Sequence, residues 1–365
     1  MSERVPSDAV ALDAVRRVLV TKLRHHGDVL LASPVLQVLK NHAPHAEVDA
    51  LVYADTAPML ALHPALAQLH TIDRQWKRLG PLAQSRAELA LLWRLRARRY
   101  DLVVHLTEHP RGAWLARLLG ARWSVAPRLD REPRWWSRSF THRYVQPRGT
   151  GRHTVERNLD ALRRIGVQPS AGERSTAIVA GEEADARVAT LIEAAGLGPR
   201  GFVHLHPASR WLFKCWPVAD NAALIDRLAD AGWRVVLTAA PDPREMRMVE
   251  EIVAAARAPV TSFAGQLSLK ELAALTARAR LFVGVDSAPM HIAAAVKTPV
   301  VALFGPSSEL EWGPWQVRHR IVASESHLCR PCGLDGCGGG KLSECLTTLP
   351  LERVLGAARE LLDAG

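Results

Sequence analysis

The sequence predicts an α/β protein with two doubly wound domains. Short apolar runs of strand length alternate with longer helical stretches, and this alternation starts again after about residue 170. The stretch 166–175, with one proline, two glycines and polar neighbours, is typical of a linker. We therefore predict an N-terminal domain over 1–170, a C-terminal domain over 171–350, and a final helix over 351–365 that could pack back on the first domain.

Apolar, β-branched runs of five or six residues predict the buried parallel strands. They lie at 18–23, 48–53 and 102–106 in the first half, and at 202–206, 234–238, 281–285 and 300–304 in the second. Helical spacing of apolar residues predicts helices at 33–41, 87–98, about 218–231, 244–257, 269–278 and 290–296. Because ligands of such sheets bind beyond the carboxyl ends of strands, we expect the functional residues in the loops that follow them.

The net charge of +10 is concentrated in the first half of the chain. Residues 1–170 carry 27 Lys and Arg against 15 Asp and Glu, whereas the remainder carries 20 against 22. A coding bias towards arginine would affect both halves, so the asymmetry favours an anionic partner: nucleic acid, anionic lipid or a phosphorylated glycan. Without an apolar signal segment or an 18-residue apolar run, we expect a cytoplasmic protein.

Three segments carry residues suited to chemistry. In the first, Gly27 and Asp28 follow the first strand and open a helix. Glycine allows the backbone to approach a ligand closely, and the carboxylate is placed to act as a base in an interdomain cleft. Residue spacing alone equally allows Asp28 to be only the N-cap of that helix.

The second segment follows the strand at 202–206 and places Ser209, Arg210 and Lys214 on a strand-to-helix loop. One hydroxyl and two cations suit a diphosphate, although a solvated turn ended by Pro217 is the alternative. In the third segment a strand ends in Asp286-Ser287 and a helix begins, with His291 in its first turn. The free N–H groups of a helix N-terminus bind phosphate, and His291 could add a donor or could be a core residue.

In this order and spacing, the segments resemble the ADP-heptose:lipopolysaccharide heptosyltransferase family, which has the GT-B fold of two Rossmann-like domains facing a cleft. The matching stretches are 27–31, 206–214 with Trp216-Pro217, and 284–287 with His291 and 304–306. The stretch 210–216, together with a later cysteine loop, is similar to the branch that adds the third heptose.

The resemblance implies an inverting transfer of heptose from ADP-heptose to an inner-core sugar of lipopolysaccharide, with Asp28 as the base that activates the acceptor hydroxyl. The donor would be held by Ser209, Lys214, Glu245, Asp286, Ser287, Ala288 and His291. Glu245 falls where the family contacts the nucleoside. At position 208 the family often has Thr or Gly, and Ala208 lacks a hydroxyl that could contact a phosphate. At position 288 the family often has Gly, and the Cβ of Ala288 narrows the approach of the sugar.

No Asp-x-Asp pair occurs in the chain, so we predict that transfer needs no metal ion. The acceptor would be the lipid A–core oligosaccharide at the inner leaflet of the inner membrane, and we expect peripheral, salt-sensitive membrane association. Nine arginines between 111 and 148 are opposed only by Asp130 and Glu132. The residues expected to face the acceptor or the membrane are Arg24, His25, Arg131, Arg134, Trp135 and Trp136, with Phe140 nearby. A basic face that is merely solvated is the alternative.

The cysteines Cys329, Cys332, Cys337 and Cys345 form a C-x2-C-x4-C-x7-C cluster. Four thiolates so close together could form a structural zinc site, although the spacing is not that of a common zinc finger. Three rival functions remain open. A nucleotide-sugar epimerase could share the architecture, and the basic half could bind nucleic acid, although no recognised nucleic-acid module is present. A non-catalytic glycan-binding relative would keep the fold but would not need Asp28.

Overall fold

A computed structural model describes residues 7–146, 149, 151–198 and 200–364. The chain forms two compact units that divide between Ala177 and Ile178. The predicted boundary at 170/171 is therefore seven residues too early. Residues 171–177 remain with the first unit because Asn41 Nδ2 donates a hydrogen bond to Glu173 Oε1 at 3.0 Å, and the amide of Ala177 donates to Ser33 Oγ at 3.1 Å.

The first unit contains a sheet of six parallel strands in the order β3-β2-β1-β4-β5-β6. The strands are β1 (Arg17–Thr21), β2 (Glu47–Tyr53), β3 (Gln68–Ile72), β4 (Leu102–His105), β5 (Trp123–Pro127) and β6 (His142–Tyr144). Its helices are α1 (His26–Leu30), α2 (Ser33–His42), α3 (Pro81–Ala97), α4 (Pro110–Leu119), α5 (Arg134–Ser137) and α6 (Thr154–Arg164). This is the Rossmann strand order, and its topological switch point lies between β1 and β4.

The second unit repeats that order, as β9-β8-β7-β10-β11-β12, with its switch point between β7 and β10. The strands are β7 (Phe202–His206), β8 (Arg234–Leu237), β9 (Thr261–Ser262), β10 (Leu281–Val285), β11 (Val300–Phe304) and β12 (His319–Ala323). The helices are α7 (Glu182–Ala194), α8 (Val218–Asp230), α9 (Pro243–Ala255), α10 (Leu269–Arg278), α11 (Ala288–Ala295), α12 (Glu309–Trp312), α13 (Glu344–Thr347) and α14 (Leu351–Asp363). The predicted α/β class with two Rossmann-like domains is confirmed.

The C-terminal helix α14 is part of the second unit. Val354, Leu355 and Ala358 on its buried face are fully enclosed in the main apolar core of that unit, together with Leu228 of α8 and Val301 of β11. The expectation that this helix packs back on the first domain is therefore corrected: its apolar stripe covers the second sheet. Among the described residues, no helix has the length and apolar character needed to cross a membrane.

Candidate active site

Asp28 lies at the switch point of the first sheet. Strand β1 ends at Thr21, and Asp28 is the third residue of the short helix α1, whose N-cap is His25. The structure therefore excludes Asp28 as the N-cap of this helix. Its side chain is about one-eighth exposed, at 12%, so the carboxylate is largely desolvated but can still be reached from outside.

One cation lies close to this carboxylate. Arg24 Nε is 3.7 Å from Asp28 Oδ1, in an ion pair at the protein surface. Both Arg24 and His25 are exposed, as the expected contact with an acceptor requires. The main-chain carbonyl of Arg24 accepts a hydrogen bond from Arg74 Nη2 at 3.0 Å, which holds the loop after β1 in place.

Lys22, which our reading of the sequence missed, is buried beneath the same loop. Its ammonium donates hydrogen bonds to the carbonyl of Leu106 at 3.2 Å and to Asn158 Oδ1 at 2.9 Å, and Asn158 Nδ2 donates to the carbonyl of Leu31 at 2.9 Å. Burial lowers the pKa of Lys22 from 10.5 to about 8, and the carboxylate of Asp28 partly opposes that shift. This cation therefore ties together the chain segments that follow β1 and β4.

The burial of Lys22 predicts a pH dependence of stability. Folded Lys22 loses its proton near pH 8 and the unfolded residue near 10.5, so the unfolded chain binds more protons between these values. The free energy of unfolding of the wild type should therefore rise across this window, relative to Lys22→Met, by about 3 kcal/mol. Urea titrations of both proteins at the two ends of the window measure this difference. An equal difference at both pH values would contradict the prediction.

Buried histidines end the central strands of both sheets, but they are not placed to act as charged groups. Burial lowers the pKa of His105 at the end of β4 to about 3 and that of His206 at the end of β7 to about 4. Their ring nitrogens lie within hydrogen-bond distance of threonines: His105 Nδ1 is 2.5 Å from Thr21 Oγ1, and His206 Nδ1 is 2.7 Å from Thr238 Oγ1. Neutral and enclosed, these histidines support the sheets beneath the site.

The switch point of the second sheet brings together Lys214 and Asp286, which are 72 residues apart in sequence. Lys214 ends a 3₁₀ turn in the loop after β7, and Asp286 follows the neighbouring strand β10. Lys214 Nζ donates to Asp286 Oδ2 at 2.6 Å. The lysine side chain is 22% exposed and the aspartate side chain 8%, so the cation is the member of the pair that an incoming anion can reach.

Helix α11 begins at Ala288, two residues after Asp286. Ser287 is its N-cap, but the Ser287 hydroxyl donates to the carbonyl of Val285 at 3.2 Å and forms no capping bond to the helix. The Ser287 side chain therefore does not occupy the N-terminus that begins at Ala288, and the positive end of this helix suits a phosphate oxygen. His291 lies in the first turn and is buried.

Two further predicted donor residues lie near Lys214. Ser209, buried in the same loop, accepts a hydrogen bond from the amide of Trp211 at 3.3 Å through its Oγ. Glu245 lies in the first turn of α9, which follows β8. Its Oε2 accepts a hydrogen bond from the amide of Ala240 at 3.1 Å, and burial raises the pKa of Glu245. Burial together with the charge of Glu245 also raises the pKa of the Cys215 thiol to about 12, so this cysteine is not a reactive thiolate.

The predicted acceptor or membrane residues divide into exposed and buried members. Arg131, Arg134 and Trp135 are exposed. Trp136 is fully buried: its indole donates to the carbonyl of Pro127 at 3.1 Å and its ring packs on Phe140 at 5.0 Å between centroids. The expectation that Trp136 and Phe140 face a membrane is therefore wrong. Arg148, the last arginine of the predicted basic run, lies outside the described residues.

The four clustered cysteines do not form a ligand set. Cys345 is buried, whereas Cys329, Cys332 and Cys337 are exposed. In the part of the chain that the structure describes, no three His, Cys, Asp or Glu side chains are grouped so that they could hold a metal ion. Burial raises the pKa of the Cys345 thiol, and the charges of the other three cysteines raise it further. No such group is present among the described side chains, and the zinc site considered from the spacing stays a prediction.

Two Rossmann-like sheets in one chain, with the partly exposed cation Lys214 beside the start of α11 in the second, are the architecture of the GT-B class. The chain belongs to glycosyltransferase family 9, the heptosyltransferases, whose family model matches residues 89–341. This membership confirms the family that the sequence motifs indicated.

Individual relatives agree with this assignment. The chain is 38% identical over 344 residues to lipopolysaccharide heptosyltransferase 3 of Escherichia coli K12, which covers 93% of this chain and 96% of that protein. A glycosyltransferase family 9 structure from Veillonella parvula superposes with a TM-score of 0.84 at 24% identity, over 98% of this chain and 100% of its own. An E. coli heptosyltransferase with ADP-2-deoxy-2-fluoro heptose gives a TM-score of 0.70 at 21% identity, over 95% and 99%. The predicted likeness to the type 3 branch is thereby confirmed.

Proposed function

We propose that this protein transfers L-glycero-D-manno-heptose from ADP-heptose to an inner-core sugar of lipopolysaccharide, most simply a heptose, with inversion at the anomeric carbon. The observation that carries the proposal is the Lys214–Asp286 pair at the start of the uncapped helix α11. Its substrates follow from the extensive similarity to lipopolysaccharide heptosyltransferase 3.

In this proposal the second unit binds the donor. The diphosphate lies against the N-terminus of α11 and Lys214, so that negative charge on the departing ADP is met by a cation and by main-chain N–H groups. Asp286, already hydrogen-bonded to Lys214, contacts a heptose hydroxyl. Ser209 adds a phosphate contact, and Glu245, held by the amide of Ala240, contacts the nucleoside.

The first unit supplies the base. Asp28 accepts the proton of the acceptor hydroxyl while the acceptor oxygen forms its bond to the anomeric carbon and the bond to ADP breaks. General-base assistance of this kind contributes about 10²–10⁴-fold to the rate. Arg24, 3.7 Å from the carboxylate, is placed at the same surface to contact an anionic group of the acceptor.

Incubation with ADP-heptose and a series of truncated lipopolysaccharide acceptors, followed by mass spectrometry, tests the proposal. We expect one added heptose on an acceptor that already carries inner-core heptose, and none on lipid A alone. Turnover of a UDP-sugar without any acceptor would instead indicate an epimerase. Tight nucleic-acid binding without turnover would indicate a nucleic-acid-binding protein.

We further propose that the transfer needs no divalent ion, because Lys214 and the start of α11 provide the positive charge that a metal ion supplies in other transferases. Enzyme dialysed against EDTA should therefore keep its full turnover, and added Mg²⁺ should not increase it. A Mg²⁺-dependent glycosyltransferase, inactivated by the same dialysis, is the control. Loss of turnover that only Mg²⁺ restores would refute the proposal, and elemental analysis of the same sample would detect any zinc held by the cysteines.

The natural acceptor is the lipid A–core oligosaccharide. We propose that the enzyme meets it as a peripheral protein at the inner face of the inner membrane, with its basic first half towards the anionic surface. No nucleic-acid partner is part of this proposal.

A further inference from the structure

Three exposed tryptophans stand on three helices of the first unit. Trp93 on α3 is 71% exposed, Trp114 on α4 is 58% exposed, and Trp135 on α5 is 39% exposed. Large apolar side chains in contact with water are costly when they are grouped, so a set of this kind marks an interaction surface. The donor site described above lies in the second unit and does not use them.

Two hydrogen bonds and one ring contact place these helices side by side. Arg111 Nη2 of α4 donates to Glu88 Oε1 of α3 at 2.6 Å, and Arg96 Nη1 of α3 donates to the carbonyl of Leu118 of α4, also at 2.6 Å. The rings of Trp114 and Trp135 stack with centroids 6.2 Å apart and an interplanar angle of 20°. The tryptophans of α4 and α5 are therefore in contact, and α3 lies alongside α4.

Exposed leucines extend the apolar surface at helical spacing. Leu82, Leu89 and Trp93 recur at intervals of seven and four residues on α3, a spacing that places them on one side of the helix, whereas Leu91 and Leu95 are buried. On α4, Leu118 is one turn beyond Trp114. We call this surface the tryptophan patch, defined by Leu82, Leu89, Trp93, Trp114, Leu118 and Trp135.

Each tryptophan of the patch is followed three residues later by an arginine: Arg96, Arg117 and Arg138. Residues at this spacing on a helix are neighbours on its surface, so each arginine lies on the same side of the helix as its tryptophan. Within the described residues, none of these three guanidinium groups forms an ion pair with a carboxylate; Arg96 and Arg117 donate to main-chain carbonyls and, for Arg117, to Ser139 Oγ at 2.7 Å. Their charge is therefore available to an external anion.

The wider surface around the patch is also positively charged. Residues 81–138 contain 12 arginines, no lysine and five Asp and Glu, a balance of +7. Tryptophan rings favour the boundary between hydrocarbon and water, and arginine both covers apolar surface with its stem and binds anionic headgroups with its guanidinium. Side chains that stand out from three adjacent helices fit a broad surface better than a narrow ligand.

We infer that the tryptophan patch with Arg96, Arg117 and Arg138 is the surface by which this protein binds an anionic lipid bilayer. The rings enter the headgroup region and the three arginines contact lipid phosphates. The inference rests on the proposed function in one respect: a membrane-anchored acceptor gives the enzyme a reason to bind there. The tryptophans of this surface differ from those expected from sequence: Trp136 is buried and does not belong to it, whereas Trp93 and Trp114 do.

Cosedimentation with vesicles tests the inference, using equal parts phosphatidylcholine and phosphatidylglycerol, or phosphatidylcholine alone. The wild type should bind the anionic vesicles, less strongly at high salt, with a blue shift of its tryptophan emission. The triple variant Trp93→Ser/Trp114→Ser/Trp135→Ser should bind at least about tenfold more weakly. Arg96→Gln/Arg117→Gln/Arg138→Gln should also weaken binding by about tenfold or more and remove most of the salt dependence.

Leu310→Ser is the matched control, because Leu310 is 65% exposed but lies in the second unit; its binding should equal that of the wild type. Circular dichroism and thermal melting establish that each variant is folded. Unchanged vesicle binding by the folded tryptophan variant, or equal wild-type binding to both vesicle types, would overturn the inference. A third result would also overturn the inference: the wild type does not bind vesicles but self-associates, and the tryptophan variant does not. The patch would then join two copies of the chain.

A delipidated core oligosaccharide separates this inference from the proposed function. The tryptophan variant should transfer heptose to that water-soluble acceptor at the wild-type rate, but lose turnover on the same oligosaccharide linked to lipid A in vesicles. Failure of the wild type on the soluble acceptor would count against the proposed function alone, because vesicle binding is measured without substrate. Equal losses on both acceptors would overturn the membrane role of the patch.

Discussion

Replacing Asp28 with alanine is expected to lower kcat by about 10²–10⁴-fold, the contribution of a general base. Asp28→Asn should lose as much, because the amide keeps the shape of the side chain but cannot accept the proton of the acceptor hydroxyl. Binding of ADP-heptose, measured by calorimetry without acceptor, should be unchanged in both variants, since the donor residues lie in the second unit.

Asp13→Asn is the matched control, because it removes an exposed carboxylate of the first unit and should leave turnover unchanged. The thermal stability of each variant shows whether the fold is retained. A kcat within a few-fold of wild type for the folded Asp28→Asn protein would rule out Asp28 as the base. A large rise in the KM for acceptor with unchanged kcat would make it a binding residue only.

The second large effect is expected for Lys214→Met, which should reduce kcat/KM for ADP-heptose by about 10²–10³-fold. Charge builds up on the diphosphate as the glycosidic bond breaks, so the missing cation should lower kcat as well as raise KM. The change also leaves the nearly buried carboxylate of Asp286 without its partner at 2.6 Å. Steady-state kinetics at varied donor concentration measure both parameters.

Two further variants isolate the role of Lys214. Arg227→Met is the control, because Arg227 of the same unit is also ion-paired, with Glu352 at 3.2 Å, but lies within α8 and not in the loops after β7 and β10; its kinetics should match the wild type. Asp286→Asn combined with Lys214→Met should cost less than the product of the single losses, because the two residues act as a hydrogen-bonded pair. If the loss in the double variant equals the product of the two single losses, Lys214 and Asp286 act independently.

Central strands were predictable because burial on both faces requires continuous apolar residues. The bounds of β7, β10 and β11 agree with those expected from the sequence, and the loops that follow them are the ones that contain Lys214 and Asp286. The strands that were missed are β3, β5, β6, β9 and β12. Four of these five are at sheet edges, where one side lacks a neighbouring strand. Partial exposure there permits polar residues, as in β12, and removes the apolar signal.

Adjacent residues of one type can have opposite environments that local sequence does not distinguish. Trp135 and Trp136 both suggested a membrane-facing side chain, but α5 directs Trp136 into the core against Phe140 and leaves Trp135 stacked on Trp114. Trp93, more exposed than either, lies in a helix whose apolar residues occur on all sides. Only the packing of that helix decides which of them meet water.

The sequence by itself determined the family, the repeated strand–helix order and the loops that contain Asp28, Lys214 and Asp286, because these depend on local composition and on motifs a few residues long. Only the tertiary structure decided that Lys214 meets Asp286 and that Lys22 is enclosed. Both depend on which strands lie side by side. Because β7 is next to β10, Lys214 meets Asp286; because β1 is next to β4, Lys22 meets the carbonyl of Leu106. These chain segments are far apart in sequence.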